Sequence, residues 1–450
     1  MGEEKESEAV RLQRVDNTGS PDSDNEDYDP HLHRVVEKPT SNIETLVHLL
    51  KCSLGTGILA MPQAFSRSGL ITGVIATIII GGMITHCLHV LVKAQYNLCK
   101  RRRVPLLTYP ESMVAALEIG PRPLRRFAKS SAVVVDVFLV VYQLGICCVY
   151  TVFIAGTFKK IVDPYYEMSI EVHMLIIMLP LIAANCIRHL KILAPFSNFA
   201  NFLTLVGLGI VVYYLLTAEK STEPLDLFGS LAEFPLFFGT TLFALTAVGV
   251  VVALENNMES PKDFGKPLGV LNLGMAFIVT LYVVIGVIGY IFCVSSCSDS
   301  ITLDMPEGTA LTISVLVMYA IAILISYVLQ CYVPVEILWK TYTKPQLEKR
   351  GYIKLLRWEY ALRILVCLLT FVLAVSVPRL GLFISLFGAL CLSALGMMFP
   401  AFMEVCVAMP DKFGPGKIIL IKDIILFIIG LFGMVVGTYS TVVAIIKSFQ

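Results

Sequence analysis

"SNIETLVHLLKCSLGTGILAMPQAF" (residues 41–65) decides how this chain is read. It is apolar enough for a membrane helix, yet Gly55-Thr56-Gly57 stands near its middle and Pro62 follows shortly after. In hydrocarbon no water satisfies backbone groups released by unwinding, so a break at that depth must line a cavity or be covered by protein. Taken alone, the Gly-x-Gly leaves two readings open. It is either a seam for close helix packing or an unwound turn whose free amides and carbonyls meet a ligand.

The rest of the chain narrows this. Of 450 residues, 56% are hydrophobic and 15% charged, and the mean hydropathy is +0.77. A soluble domain does not carry that balance, so the chain reads as an all-α polytopic membrane protein. The net charge of +1 says nothing for a nucleic-acid partner, because the charges are segregated by position and not pooled in a patch, and none is expected. Residues 1–40 are polar and acidic and read as a disordered cytosolic tail, leaving 41–450 as the membrane domain.

Apolar runs of about 18 residues or more fall at about 44–65, 70–98, 131–158, 171–187, 193–217, 234–253, 268–294, 310–338, 360–377, 381–406 and 418–446, which predicts eleven transmembrane helices. Lysine and arginine crowd one set of loops, including "KRRR" at 100–103 and "WKTYTKPQLEKRGYIKLLRW" at 339–358. The other loops hold chiefly Arg67, Lys159, Lys160, Lys220 and Arg379. By the positive-inside rule the N-terminus is cytosolic and the C-terminus extracellular or lumenal. Spans 1–5 and 6–10 then run in opposite senses, a 5+5 inverted repeat with one extra helix. In transporters of this plan the first helix of each half is interrupted and the binding site lies between the two interruptions. Span 6, "FFGTTLFALTAVGVVVALENN" (237–257), carries Gly239 and Gly249 around an apolar middle, so helices 1 and 6 are both expected to be discontinuous.

The twelve cysteines mostly lie inside apolar segments and read as small hydrophobes. Cys293 and Cys297 sit at helical i, i+4 spacing, so no bridge is expected between them. His86 and His89 face one way on a helix, but with Lys93 one turn on and no third ligand nearby, no metal site is expected. Asp136, about a turn into span 3, is expected at the membrane interface. Glu255, beside Asn256 and Asn257, is either a helix-end polar cluster or a cytosolic gate. No nucleophile elbow or phosphate-cradling loop occurs, so neither an enzyme nor a cofactor is expected.

Several stretches together resemble the proton-coupled amino acid transporters of the amino acid/auxin permease group: "LVHLLKCSLGTGILAMPQAF" (46–65), "HCLHVLVK" (86–93), "YQLGICCVYTVF" (142–153), "FFGTTLFALTAVGVVVALENNM" (237–258) and "YVPVEI" (332–337). The resemblance implies a broken-helix fold. It also implies transport of small neutral amino acids of the glycine, alanine and proline class, with protons, across the plasma or lysosomal membrane. Gly55, Thr56 and Gly57 match the family's carboxylate-binding motif, His48 its proton-coupling histidine, and Tyr150 a wall of the substrate pocket. Phe243 and Gly249 match the ends of a Phe-x-x-Glu-x-x-Gly pattern in which this chain has Thr246 at the acidic place. A hydroxyl neither takes up a proton there nor offers full charge to an ammonium. That departure favours the alternatives of a proton-independent uniporter or an amino acid sensor with little flux.

Overall fold

The computed structural model describes residues 28–36, 39–188, 190–219, 221–245, 248–352, 354–409 and 413–450, with the side chains of 190–194 left out. Thr246 therefore lies outside the described residues. Among those described, every long element is helical.

The decisive stretch folds as three short helices: α1 (Asn42–Ser53), α2 (Thr56–Leu59) and α3 (Met61–Ser68). A reciprocal cap starts α1, with the Ser41 hydroxyl taking the Glu44 amide and Glu44 taking the Ser41 amide at 2.8 Å. The helix stops where Leu54 leaves helical geometry (ψ 73) and Gly55 becomes extended (φ −114, ψ −158). The second interruption, at Ala60, has a different cause: Pro62 cannot donate a backbone hydrogen bond to the turn before it. Its ring packs on α11 (Val270–Cys293), where a Cβ at Gly289 would come within 2.3 Å of Pro62 Cγ.

The remaining elements are α4 (Leu70–Arg102), α5 (Tyr109–Ile119), α6 (Ala128–Val162), α7 (Ile170–Asn185), α8 (Leu190–Thr217), α9 (Phe234–Leu245) and α10 (Val248–Asn256), then α11. After it come α12 (Ala310–Glu336), α13 (Lys344–Lys349), α14 (Leu355–Ser376), α15 (Leu380–Phe387), α16 (Phe399–Ala408) and α17 (Ile418–Lys447). A π-helical stretch, Gly388–Met398, joins α15 to α16 into one span. Among the described residues nine helices, counting joined elements as one, are long and apolar enough to cross a membrane, and Ile170–Asn185 is a shorter apolar one. The place of the expected first span is taken by α1–α3.

Packing explains why the breaks meet. α1 lies on α10 and α3 lies on α9, so the first and sixth segments run antiparallel, as an inverted repeat requires. α11 and α4 cover them from one side, while α6, α12 and α8 pack as a second layer. The π-helical stretch fits between α9 and α17, so closely that a Cβ at Gly388 would fall on the Gly239 carbonyl. Lipid tails are as apolar as leucine, so such small-residue contacts, more than burial of apolar area, hold the helices together.

Two expectations are corrected. Cys293 and Cys297 form a disulfide with Cα atoms 4.9 Å apart: α11 ends at Cys293 and Val294 turns to φ 45, so the helical spacing assumed for the pair does not apply. Asp136, 8% exposed, takes a 2.7 Å hydrogen bond from the Tyr342 hydroxyl of the basic stretch 339–358, in keeping with its place about a turn into the third span. The polar tail extended to residue 40 in the sequence reading, yet residues 28–36 carry a 3-10 turn and defined contacts, and Thr40 pairs with Asn257 and Glu259 by backbone hydrogen bonds of 2.8 and 3.0 Å.

Candidate functional site

At the break, α1 leaves carbonyls without helical partners and α2 begins with amides that have none. One carbonyl is answered from another helix: the hydroxyl of Tyr282, fully buried on α11, donates to Ser53 O. The Gly55 amide turns back to Ser53 O at 3.0 Å. Thr56 is 2% exposed and its hydroxyl has no partner among the described residues, although a buried hydroxyl ordinarily finds one. Tyr150 on α6 faces the same turn, its hydroxyl 3.8 Å from where a Gly55 Cβ would stand and interacting with the Gln330 side chain of α12. Phe243, partly buried at the end of α9, meets the Tyr142 ring edge-on with centroids 6.4 Å apart.

The two glycines play different parts. A Cβ at Gly57 would come within 2.8 Å of Ala244 Cα and 3.1 Å of Ala244 Cβ, so Gly57 brings the backbones of the first and sixth segments together. A Cβ at Gly55 would meet only the Tyr150 hydroxyl. The two readings of Gly-x-Gly are thus divided between its members: tight packing at Gly57, and at Gly55 a position where a Cβ would meet nothing closer than the Tyr150 hydroxyl. Thr56 between them is buried with a polar atom to spare. An extended turn with free amides, a partnerless hydroxyl and a tyrosine wall is suited to a small carboxylate.

His48 is not part of this turn. It is exposed on α1, one helical turn from Glu44 and from the exposed Cys52, while Leu46 and Leu49 on another face pack against Gly274 of α11. Seven residues separate it from Gly55, about 10 Å along a helix. Glu255 closes α10 at the same end and is 4% exposed. Arg34 Nη1 reaches both of its carboxyl oxygens at 3.0 Å, and His31 Nε2 lies 3.1 Å from Oε1. Asp29 continues this strap, bonded by Tyr96 of α4 at 3.2 Å and paired with Lys262 at 2.9 Å, whose ammonium holds the Asp29 carboxyl below the usual carboxylate range. His89 pairs with Asn272 of α11 at 2.8 Å.

The end beyond α3 is closed by polar contacts. Gln63 bonds Asp299 at 2.5 Å, and Arg67 is in electrostatic reach of Asp299 and Glu233. Toward α1 the covering is thinner: Ala253 is exposed, and a Cβ at Gly249 would have nothing within 4 Å.

Residues 38–443 match the family model described as transmembrane amino acid transporter protein. Over 430 residues the chain is 38% identical to the proton-coupled amino acid transporter-like protein pathetic of Drosophila melanogaster, covering 94% of this chain and 89% of that one. It is 26% identical to amino acid transporter AVT3C of Arabidopsis thaliana, covering 89% and 90%. Among solved structures it is similar to MHP1, a nucleobase-cation-symport-1 family transporter in a closed conformation with bromovinylhydantoin bound, at 13% identity and a TM-score of 0.49, covering 94% and 95%. The match of the family model to nearly the whole membrane region, with the Drosophila relative at 38% identity, places the chain in the transmembrane amino acid transporter family.

Proposed function

We propose that the protein is a secondary active transporter of small neutral amino acids of the glycine, alanine and proline class, driven by protons and working by alternating access. The observation that carries this is the unwound turn Ser53–Thr56: the Thr56 hydroxyl is buried without a partner among the described residues, and Gly55 faces the Tyr150 hydroxyl with no closer neighbour. The substrate carboxylate binds the first amides of α2 and the Thr56 hydroxyl, and the lack of a facing charged side chain among the described residues favours a neutral substrate side chain. Phe243 completes the pocket from the sixth segment, and Thr246 is assigned to it from the sequence match alone. Arg34 and His31 on Glu255 close the cytosolic end and the Gln63–Asp299 pair the opposite one, so transport alternates between releasing one set and the other.

His48 carries the proton. A proton crossing 100 mV supplies about 2.3 kcal/mol and each pH unit about 1.36 kcal/mol, enough to concentrate an amino acid several-tenfold. The membrane is the plasma or lysosomal membrane, with the N-terminus cytosolic. The test is uptake of labelled alanine, glycine and proline into proteoliposomes with and without an inward pH gradient. Accumulation driven by the gradient is expected. Gradient-independent equilibration supports the uniporter to which Thr246 points, and binding without flux the sensor.

A further inference from the structure

Away from the broken helices, three charged groups meet where α16, α17 and α4 converge. Lys422 Nζ of α17 lies 2.5 Å from Glu404 Oε2 of α16 and 3.1 Å from Asp423 Oδ1. Asp423 is 1% exposed and, the Lys422 ion pair aside, neither of its carboxyl oxygens has a hydrogen-bond partner among the described residues. Two carboxylates against one ammonium leave a net charge of −1 in a place where burial opposes an odd charge.

From α4 the cluster is faced by Cys87, buried and free, and by the exposed His86; His89 is engaged with Asn272, and Lys93 stands further along. Glu404 also lines a cavity of about 570 Å³ that opens beside the N-terminal strap, with Lys93, Asn97, Arg101 and Arg103 on its walls. Water therefore reaches one carboxylate of the cluster while the other is sealed.

We infer that Glu404 and Asp423 form a proton-binding site distinct from His48. A proton from cavity water adds to a carboxylate oxygen, and the resulting O–H donates to the second carboxylate, which keeps its ion pair with Lys422. The cluster becomes neutral, and Asp423 gains the hydrogen bond it lacks. Its position gives the event a consequence. α16 packs on α4, and α4 packs on α3, α9 and α11. Loading the proton alters the seam between the peripheral pair α16/α17 and the helices that surround the break. Only this last consequence rests on the transport reading; the proton site itself does not.

The test uses the full chain in nanodiscs and infrared difference spectra recorded on acidification. A carboxylic acid C=O band is expected to appear in the unaltered protein and in His48→Ala, and to be missing from Asp423→Asn. An identical band in Asp423→Asn overturns the proposal. Should Asp423→Asn fail to fold, Lys422→Met decides: removing the cation is expected to move the midpoint alkaline by about one pH unit or more, and an unmoved midpoint overturns the site. In proteoliposomes Asp423→Asn is expected to flatten the pH profile of alanine uptake by several-fold. An unchanged profile overturns the link to transport. A protein that titrates in the infrared but carries nothing keeps the proton site and overturns the proposed function.

Discussion

Replacing Gly55 with alanine separates binding from folding at the break. The backbone there has φ −114, which any residue adopts, and the new methyl would stand 3.8 Å from the Tyr150 hydroxyl with no closer neighbour. The fold should therefore accept it, with a stability change within about 1 kcal/mol and in the stabilising direction, because alanine restricts the unfolded chain. The same methyl occupies the opening assigned to the substrate carboxylate. An extra methyl-sized group in a fitted pocket costs about 1–3 kcal/mol, or about 10–200-fold in affinity. Gly57→Ala is the contrasting variant. Its methyl would meet Ala244 Cα at 2.8 Å, backbone against backbone, and overpacking of that kind costs about 1–3 kcal/mol of stability. Thermal unfolding in detergent and equilibrium binding of labelled alanine, measured on both variants, give the comparison. Gly55→Ala should keep its Tm and lose binding, and Gly57→Ala should lose Tm. Unchanged affinity in Gly55→Ala, or a large fall in its Tm, would refute the reasoning.

Other outcomes follow from the same geometry. Tyr282→Phe removes the inter-helix donor to Ser53 O and leaves that carbonyl only the Gly55 amide, a loss of about 0.5–1.5 kcal/mol that thermal unfolding would register. Glu255→Gln withdraws the buried partner of Arg34 and should raise the alkylation rate of Cys52, the exposed free cysteine on α1, by several-fold; an unaltered rate would show that the strap does not govern the α1 end. His48→Ala should abolish the response of uptake to a pH gradient while leaving amino acid exchange intact, and a retained pH profile would make His48 structural. Thr246→Glu should strengthen the dependence on a pH gradient, since a carboxyl adds a titratable charge where the hydroxyl has none.

The interruption of the first segment was legible because its cause is local: Gly-x-Gly releases the backbone and Pro62 removes a donor, both visible in one stretch. The opposite sense of the sixth segment followed from loop charge, and its pairing with the first from the inverted-repeat plan. What escaped was set by distance along the chain. Tyr282 looks like any tyrosine in an apolar helix, and only the fold brings it 229 residues back to Ser53. Arg34 reaches Glu255 across 221 positions, which is why residues 28–36 passed for featureless tail. The paired charges Lys422-Asp423 did leave a signal, because two charged residues inside an apolar run need partners, but Glu404 could not be assigned to them without α16 against α17. At Cys293–Cys297 the spacing misled because the helix ends at Val294.

The central claim is that the amino acid binds at the Ser53–Thr56 turn, between the first and sixth segments. The most direct measurement is an electron cryomicroscopy map of the protein with saturating alanine. Density for the ligand is predicted against Gly55, Thr56 and Tyr150, its carboxylate about 3 Å from the first amides of α2. Clear alanine density elsewhere, with the turn empty and Tyr150 unchanged, would contradict the account.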